Sequence, residues 1–401
     1  MGNRILIVGA GANQVGIIRK ARALGLSPVA VDGSAHAPGL EAADAAEVAD
    51  ICDPAALTRV GRAHAVSGVY PAAEWGVEAA AAAAAELGLP GVAPEVARRV
   101  RNKLAMREAL EAAGIPTPRF RGVGTEAEAI EAARELGCPV IVKPADGNAS
   151  KGVRRVDEIE EIPLAFQQAV RRSRIETVLI EEFMEGEEYN VDGLVFDGEY
   201  RLGGITGKER CAPPHRFDLG IYMPPLVDGA VQEAIAAATG EALAAIGFER
   251  GTSHVEVIVS PAGPRIVEMA GRPGGGRIPS DLIPLVYGVD YVADSLRVAM
   301  GEAPVETPAG VRGAALYWVP SRSGVVTAIE GVEAARRLDG VEDLVMAVSI
   351  GDTVGHIVDC ATRDAIGYAL TSGDTVEEAI ATAKRACELC RVVTRPTLKA
   401  R

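Results

Sequence analysis

Residues 253–276 read SHVEVIVSPAGPRIVEMAGRPGGG, two alternating runs on either side of a Pro/Gly turn. That is the pattern of a β-hairpin. If the turn is symmetric about Ala262, Glu256 and Glu268 lie equally far from its centre and face each other across the ladder. Directly opposed side chains have Cβ atoms about 4.5–5.5 Å apart, and like charges there are destabilising. Two apposed carboxylates therefore call for a cation. Mg²⁺, a hard ion that takes one or two carboxylates and completes its octahedron with phosphate oxygens and water, meets that need. Arg272 and three consecutive glycines follow, a fixed positive charge beside backbone that can approach a ligand closely. The alternative is a solvated hairpin with two surface glutamates.

At 401 residues the chain has room for two or three domains and a sizeable core. Hydrophobic residues make up 48%, and the longest apolar stretches are alanine-rich and helical, none reaching the length of a membrane span. The first residues enter a strand with no charged-then-apolar leader, so the expectation is a cytoplasmic protein. A formal charge of −14 argues against nucleic acid or an anionic membrane as the main partner, while ATP remains possible where positive charge is local. Six scattered cysteines read as reduced thiols, including the Cys387-x-x-Cys390 pair inside a predicted helix.

Working outward from the hairpin, residues 4–92 alternate strand and helix, which builds a parallel sheet with helices on both faces. The first turn, Gly9-Ala10-Gly11-Ala12-Asn13-Gln14, nearly spells a dinucleotide fingerprint, but Gln14 stands where the third glycine belongs. The reading is a Rossmann-like domain that does not bind NAD. Glu74 follows the strand ending at Tyr70, at the carboxyl edge where open α/β sheets bind ligands. It is a candidate for a substrate ammonium, or an acid complementing a helix dipole.

Ile115-Pro116-Thr117-Pro118 reads as a boundary, and Thr125 with Glu128 as a capping box. The strand Val140–Lys143 leads into Pro144-Ala145-Asp146-Gly147-Asn148-Ala149-Ser150-Lys151-Gly152, a small-residue loop whose N–H groups can cradle phosphates beside Lys143. No helix with a G-K-[ST] entry follows, so this is not a Walker A motif. The run Glu181-Glu182-Phe183-Met184-Glu185-Gly186-Glu187-Glu188 suits a hinge with an apolar lid for a purine and a carboxylate for ribose hydroxyls. Lys208, Glu209, Arg210 and His215 are expected on a long Pro-rich loop ending near Pro225, a length that is often functional. After Met300 short strands and a helix capped by Thr375 and Glu378 suggest a small α+β domain with no identifiable chemistry.

Taken in order, Lys103, Lys143 with its Gly/Ser loop, the Glu181–Glu188 run, Glu256, and Glu268 followed by Arg272 resemble the signature of the ATP-grasp superfamily. The PAAEWGV and EMAGRPGGG stretches are most similar to carboxylate–amine ligases of the L-amino-acid (dipeptide) ligase type. The resemblance implies a mixed α/β and α+β architecture: a Rossmann-like pre-ATP-grasp domain over 1–92, an ATP-grasp domain over 93–300 with a lid over about 116–186, and a small α+β domain over 301–401. It implies ATP and one or two Mg²⁺ ions, with Mn²⁺ able to substitute. Lys103, Lys143, Ser150, Lys151 and Gly152 would meet the phosphates; Glu181, Glu182, Phe183, Met184 and Glu188 the nucleoside; Glu256 and Glu268 the metal. Arg272, Lys143 and Gly275 would serve catalysis, and Glu74, Lys208, His215, His254, Gly274 and Gly275 the substrates with Arg272. Partners would be a small carboxylate and an amine, bound by a homodimer.

One departure stands out. Members of the family carry Asn two residues after the second metal glutamate, and this chain has Ala270, with His254 opposite it in a symmetric hairpin. His254 or water is expected to fill the space, or His254 is a core histidine. The implied chemistry is activation of a carboxylate as an acyl phosphate followed by amine attack. The rivals are another ATP-grasp reaction, on bicarbonate or a purine intermediate, an NAD-linked oxidoreductase, and a non-catalytic nucleotide sensor.

Overall fold

Ile5, Leu6, Ile7 and Val8 are completely buried, as a continuous apolar run inside a parallel sheet must be. They form β1 (Arg4–Val8) in a computed structural model that describes residues 2–305 and 310–396. With β2 (Ser27–Asp32), β3 (Ala45–Val48) and β4 (Gly68–Pro71) it makes a four-stranded sheet of order β3-β2-β1-β4, with parallel pairs throughout. Sequence periodicity missed β3 and the helix Pro38–Ala42, both too short to show a period.

A second four-stranded sheet comprises β5 (Phe120–Val123), β6 (Val140–Pro144), β7 (Arg154–Val156) and β8 (Val178–Glu182) in the order β5-β8-β6-β7. The helices Glu126–Leu136 and Ile162–Val170 cover one face of it, and the capping box of Thr125 and Glu128 forms.

The third sheet has eight strands. Its strands are β9 (Glu187–Phe196), β10 (Glu199–Arg210), β11 (Asp218–Met223), β12 (Gly251–Ser260), β13 (Gly263–Ala270), β14 (Gly313–Trp318), β16 (Val341–Met346) and β18 (Gly367–Gly373), in the order β13-β12-β9-β10-β11-β14-β18-β16. Two expectations change here. Lys208, Glu209 and Arg210 are not in a loop but close β10, beyond the end of the β9 ladder at Gly207, because pairing with β11 overrides their weak strand preference. The strands after Met300 extend the central sheet through the β11–β14 pair instead of building one of their own. Only β15 (Gly324–Glu330), β17 (Thr353–Val354) and β19 (Arg391–Arg395) form a separate three-stranded sheet. The helix Val376–Leu389 is capped by Thr375 and Glu378 and packs Cys387 into the core beneath it.

Candidate active site

The hairpin pairs Glu256 with Glu268 and His254 with Ala270, as expected, but its turn is centred between Pro261 and Ala262, with Ser260 opposite Gly263, and a bulge after Glu256 brings the glutamates into register. On the other side of β12, Glu256 pairs with Asn190 of β9 and His254 with Asp192. Two rows therefore cross three adjacent strands: Asn190–Glu256–Glu268, and one step along, Asp192–His254–Ala270. This wall and the loop after β6 enclose a cleft of about 290 Å³.

Cations converge on the first row. Lys103 Nζ lies 2.9 Å from Glu268 Oε1 and also donates to the Gly147 carbonyl at 2.7 Å, joining the hairpin to the loop. Lys208 Nζ lies 3.4 Å from Glu256 and 2.8 Å from Glu188. Burial would raise the Glu256 carboxyl, but Lys208 holds it below its ordinary value. Asn190 is 5% exposed, lines the cleft, and its amide makes no hydrogen bond among the described residues. Two carboxylates in register, with an unengaged amide beside them, fit a hard cation that shares its shell with phosphate oxygens. No three acidic, histidine or cysteine side chains form a ready-made metal cage among the described residues.

Lys143 closes β6 and reaches Glu181 at 2.7 Å, while Arg107 takes the other Glu181 oxygen at 2.8 Å. Arg107 is fully buried and also donates to the Ile266 and Val267 carbonyls, tying β8 to β13. Burial opposes ionisation of Glu181, and the two cations overcome it. Phe183 and Met184 line the cleft beside Glu181 and Glu182. The Glu182 and Phe183 amides bond within this sheet region, which leaves the Met184 amide without a partner among the described residues. Glu182 accepts from Arg119 and Arg265. Glu188 is met by Lys208, Arg210 and Arg216.

The loop after Lys143 holds Ala149 and Ser150 at φ of 55° and 58°, a region costly for side-chain-bearing residues. Asn148, Ser150 and Lys151 line the cleft, whereas Gly152 packs against Arg172 outside it. The loop tip meets the C-terminal region, where the Cys360 amide donates to the Ala149 carbonyl at 3.3 Å. That region was expected to carry no chemistry. It supplies Trp318, Cys360, Arg363 and Asp364 to the cleft wall, and the Arg363 guanidinium lies 3.3 Å from the Trp318 ring centre.

Other expected site residues stand differently. Glu74 is not open to an ammonium: Arg101 and Arg272 both pair with it, and it does not line the cleft. Burial would raise its carboxyl, but Arg272, Arg101 and Lys103 bring it down to about 2. Arg272 and Gly275 line the cleft, but the Gly274 amide is occupied, donating to Asp192 Oδ1 at 2.8 Å. His215 stays outside, and its neighbour Arg216 takes the place by the Phe183 ring. Asp32 accepts from the Ala10 and Ser34 amides, so the acid that would hold a dinucleotide ribose serves its own turn. Residues not anticipated include Arg101, Arg107, Asn190 and Asp192, while Arg210, expected on the Pro-rich loop, lines the cleft from the end of β10. For two of them a signal existed, since Glu188, Asn190 and Asp192 alternate along one strand and so share a face.

Two family models match the chain. An ATP-grasp domain covers residues 136–281, and an L-amino acid ligase C-terminal domain 2 covers residues 316–395. The chain belongs to the ATP-grasp superfamily, whose enzymes use ATP and Mg²⁺. The chain is 30% identical over 398 residues to the Sinorhizobium fredii protein y4rH, covering 96% of this chain and 81% of that one. It is 26% identical over 287 residues to an L-arginine-specific L-amino acid ligase of Bacillus subtilis, covering 67% of this chain and 66% of the ligase. The L-amino acid ligase of Bacillus licheniformis shares the fold, with a TM-score of 0.85 at 23% identity over 98% of this chain and 99% of that one. No helix among the described residues is long and apolar enough to cross a membrane.

Proposed function

We propose that this chain is an ATP-dependent carboxylate–amine ligase acting on amino-acid-like substrates and releasing ADP and phosphate. The observation that carries the reading is the row Asn190–Glu256–Glu268, flanked by Lys103 and Lys208 and followed by Arg272 on the same cleft wall. The match of residues 316–395 to an L-amino acid ligase domain supports the substrate class.

Glu256 and Glu268 would hold Mg²⁺, which supplies charge neutralisation for the transferring phosphoryl group. The chain's own residues do the rest. Lys103 and Lys143 meet the phosphates, and the loop 146–152 covers them and excludes water. Phe183 and Met184 flank the base, with the free Met184 amide available to its edge. A substrate carboxylate oxygen attacks the γ-phosphorus, the bond to ADP breaks, and an acyl phosphate forms. An amine then attacks the acyl carbon and inorganic phosphate departs. Arg272, beside Gly275, is the group available to the oxygen that gains charge in that step.

The test is a coupled ADP-release screen across pairs of L-amino acids, with products identified by mass. ADP release that depends on such a pair and yields their condensation product supports the reading. Release that depends on bicarbonate or a ribonucleotide instead would move the chain to another reaction, and no release with any mixture would leave a nucleotide sensor. We further propose a cytoplasmic homodimer, which light scattering reads directly.

A further inference from the structure

The second row of the cleft wall holds a pair that the handling of ATP does not use. Asp192 is completely buried, and both its oxygens are committed: Oδ1 accepts the Gly274 amide at 2.8 Å, and Oδ2 lies 3.1 Å from His254 Nδ1. A backbone N–H thus fixes the carboxylate, and the carboxylate fixes the imidazole. The acceptor assigns a proton to Nδ1, so that in the neutral ring the lone pair is on Nε2. Nε2 has no partner among the described residues, and His254 lines the cleft, where it is the one histidine of the chain's five to do so. Its partner across the hairpin is Ala270, which offers nothing to bond. Gly274 closes over the pair so tightly that a Cβ there would lie 2.6 Å from Asp192 Oδ1 and 2.7 Å from His254 Nδ1. Only glycine fits.

An amino-acid nucleophile arrives largely as an ammonium at neutral pH and has no lone pair with which to attack. A proton acceptor is needed near the acyl carbon. Of the cleft lysines, Lys103, Lys143 and Lys208 are each held by a carboxylate, and Lys151 stands on the loop after β6. His254 stands two residues along β12 from Glu256, and its partner Asp192 is bonded two residues beyond Arg272. The charged groups around it are Asp192 from β9, Glu256 on its own strand, and Glu268 and Arg272 from β13 and the turn after it.

Resting on the ligase reading above, we propose that His254 is the general base of the amide-forming step and that Asp192 is its positioning residue. The ammonium first gives one proton to Nε2, which passes it to solvent and leaves the amine its lone pair. As the C–N bond forms, Nε2 takes a second proton from the nitrogen, the C–O bond to phosphate breaks, its electron pair leaves with inorganic phosphate, and the imidazolium gives that proton to the departing phosphate. Asp192 holds the tautomer and stabilises the imidazolium, the division of labour found wherever a carboxylate orients a catalytic histidine.

Hydroxylamine separates this step from the one before it, because it is unprotonated near neutral pH and traps an acyl phosphate as a hydroxamate without a base. The full-length protein is incubated with Mg-ATP and an equimolar mixture of the twenty proteinogenic L-amino acids, with and without hydroxylamine. Hydroxamate and dipeptide are then quantified for wild type, His254→Asn and Asp192→Asn, each checked for native circular dichroism. The expected result is a dipeptide-to-hydroxamate ratio that falls about 10²-fold or more in His254→Asn and falls in the same direction in Asp192→Asn. A ratio unchanged in His254→Asn overturns the proposal while leaving the ligase reading intact. A parallel loss of both products, with an unchanged ratio, overturns it in favour of a role in ATP or carboxylate binding. Absence of both products in the wild type removes the ligase reading and this proposal with it.

Discussion

Lys143 Nζ lies 2.7 Å from Glu181 Oε2, with both side chains about 95% buried. The ammonium expected to greet a phosphate is therefore held by an acid expected to greet a nucleoside, and Arg107 shares that acid. Removing one member of a buried charge cluster leaves the others uncompensated, at a cost of about 3–5 kcal/mol. Glu181→Gln should destabilise the protein by that order in urea unfolding followed by circular dichroism. A loss below about 1 kcal/mol would mean that Arg107 and Lys143 find water or other acceptors, and that the cluster does not join the sheets.

Glu74 links acid stability to the same region. Its carboxyl falls to about 2 against the pull of burial because Arg272 and Arg101 favour the charged form. A depressed folded value contributes stability above the unfolded value near 4.3, lost as pH drops toward 2. The contribution is on the order of 3 kcal/mol. Wild type should lose thermal stability steeply between about pH 4.5 and 2, and Glu74→Gln, less stable at pH 7, should show a shallower decline there. Parallel declines would place the acid sensitivity elsewhere.

What the sequence discloses about this site depends on distance along the chain. Glu256 and Glu268 are twelve positions apart in one hairpin, so a local turn rule brings them close, and the bulge after Glu256, which has no mark in the turn, sets them opposite each other. The capping boxes at Thr125 and Thr375 are likewise local. Arg107 looks like any charge on an amphipathic helix until the fold carries it to Glu181, 74 residues away. Glu74 lies at a strand end where a ligand acid is expected, but Arg272 arrives from 198 residues off and neutralises it. Lys208 reads as a loop residue because Lys-Glu-Arg has little strand character, and only its pairing with β11 makes it a strand. Continuity of the central sheet into the C-terminal strands is a tertiary pairing with no local mark.

Arg174, just before β8, meets the turn after β4 through a ring, a contact that would follow closure of the loop 146–152. The Arg174 guanidinium lies 3.8 Å from the Trp75 ring centre and that of Arg101 4.7 Å from it, while Arg101 also binds Glu74. Such contacts are worth about 0.5–2 kcal/mol, so Arg174→Ala should increase the open fraction several-fold. With wet access to the acyl phosphate, ADP formed per amide should rise above one in that variant. Trp75 is one of two tryptophans, and in a Trp318→Phe background its emission should change on adding ATP. Tight coupling in Arg174→Ala, with no fluorescence response in the reporter, would show that this contact does not follow closure.

The first row makes a prediction about the metal that is independent of turnover. Glu256 and Glu268 are its carboxylates, and Asn190 adds a buried amide oxygen that nothing else claims. Mn²⁺ stands in for Mg²⁺ and is visible by electron paramagnetic resonance, so its affinity can be titrated with a non-hydrolysable ATP analogue present. Glu268→Gln removes a charged oxygen donor and should weaken binding at least tenfold. Asn190→Ala should weaken it less, by roughly 3–10-fold, because a neutral donor is lost and water can replace it. Lys103 and Lys208 compete for these carboxylates, so Lys208→Met should tighten Mn²⁺ binding in the absence of nucleotide. If Glu268→Gln binds Mn²⁺ as tightly as wild type, the hairpin acids serve the lysines alone and the metal belongs elsewhere in the cleft.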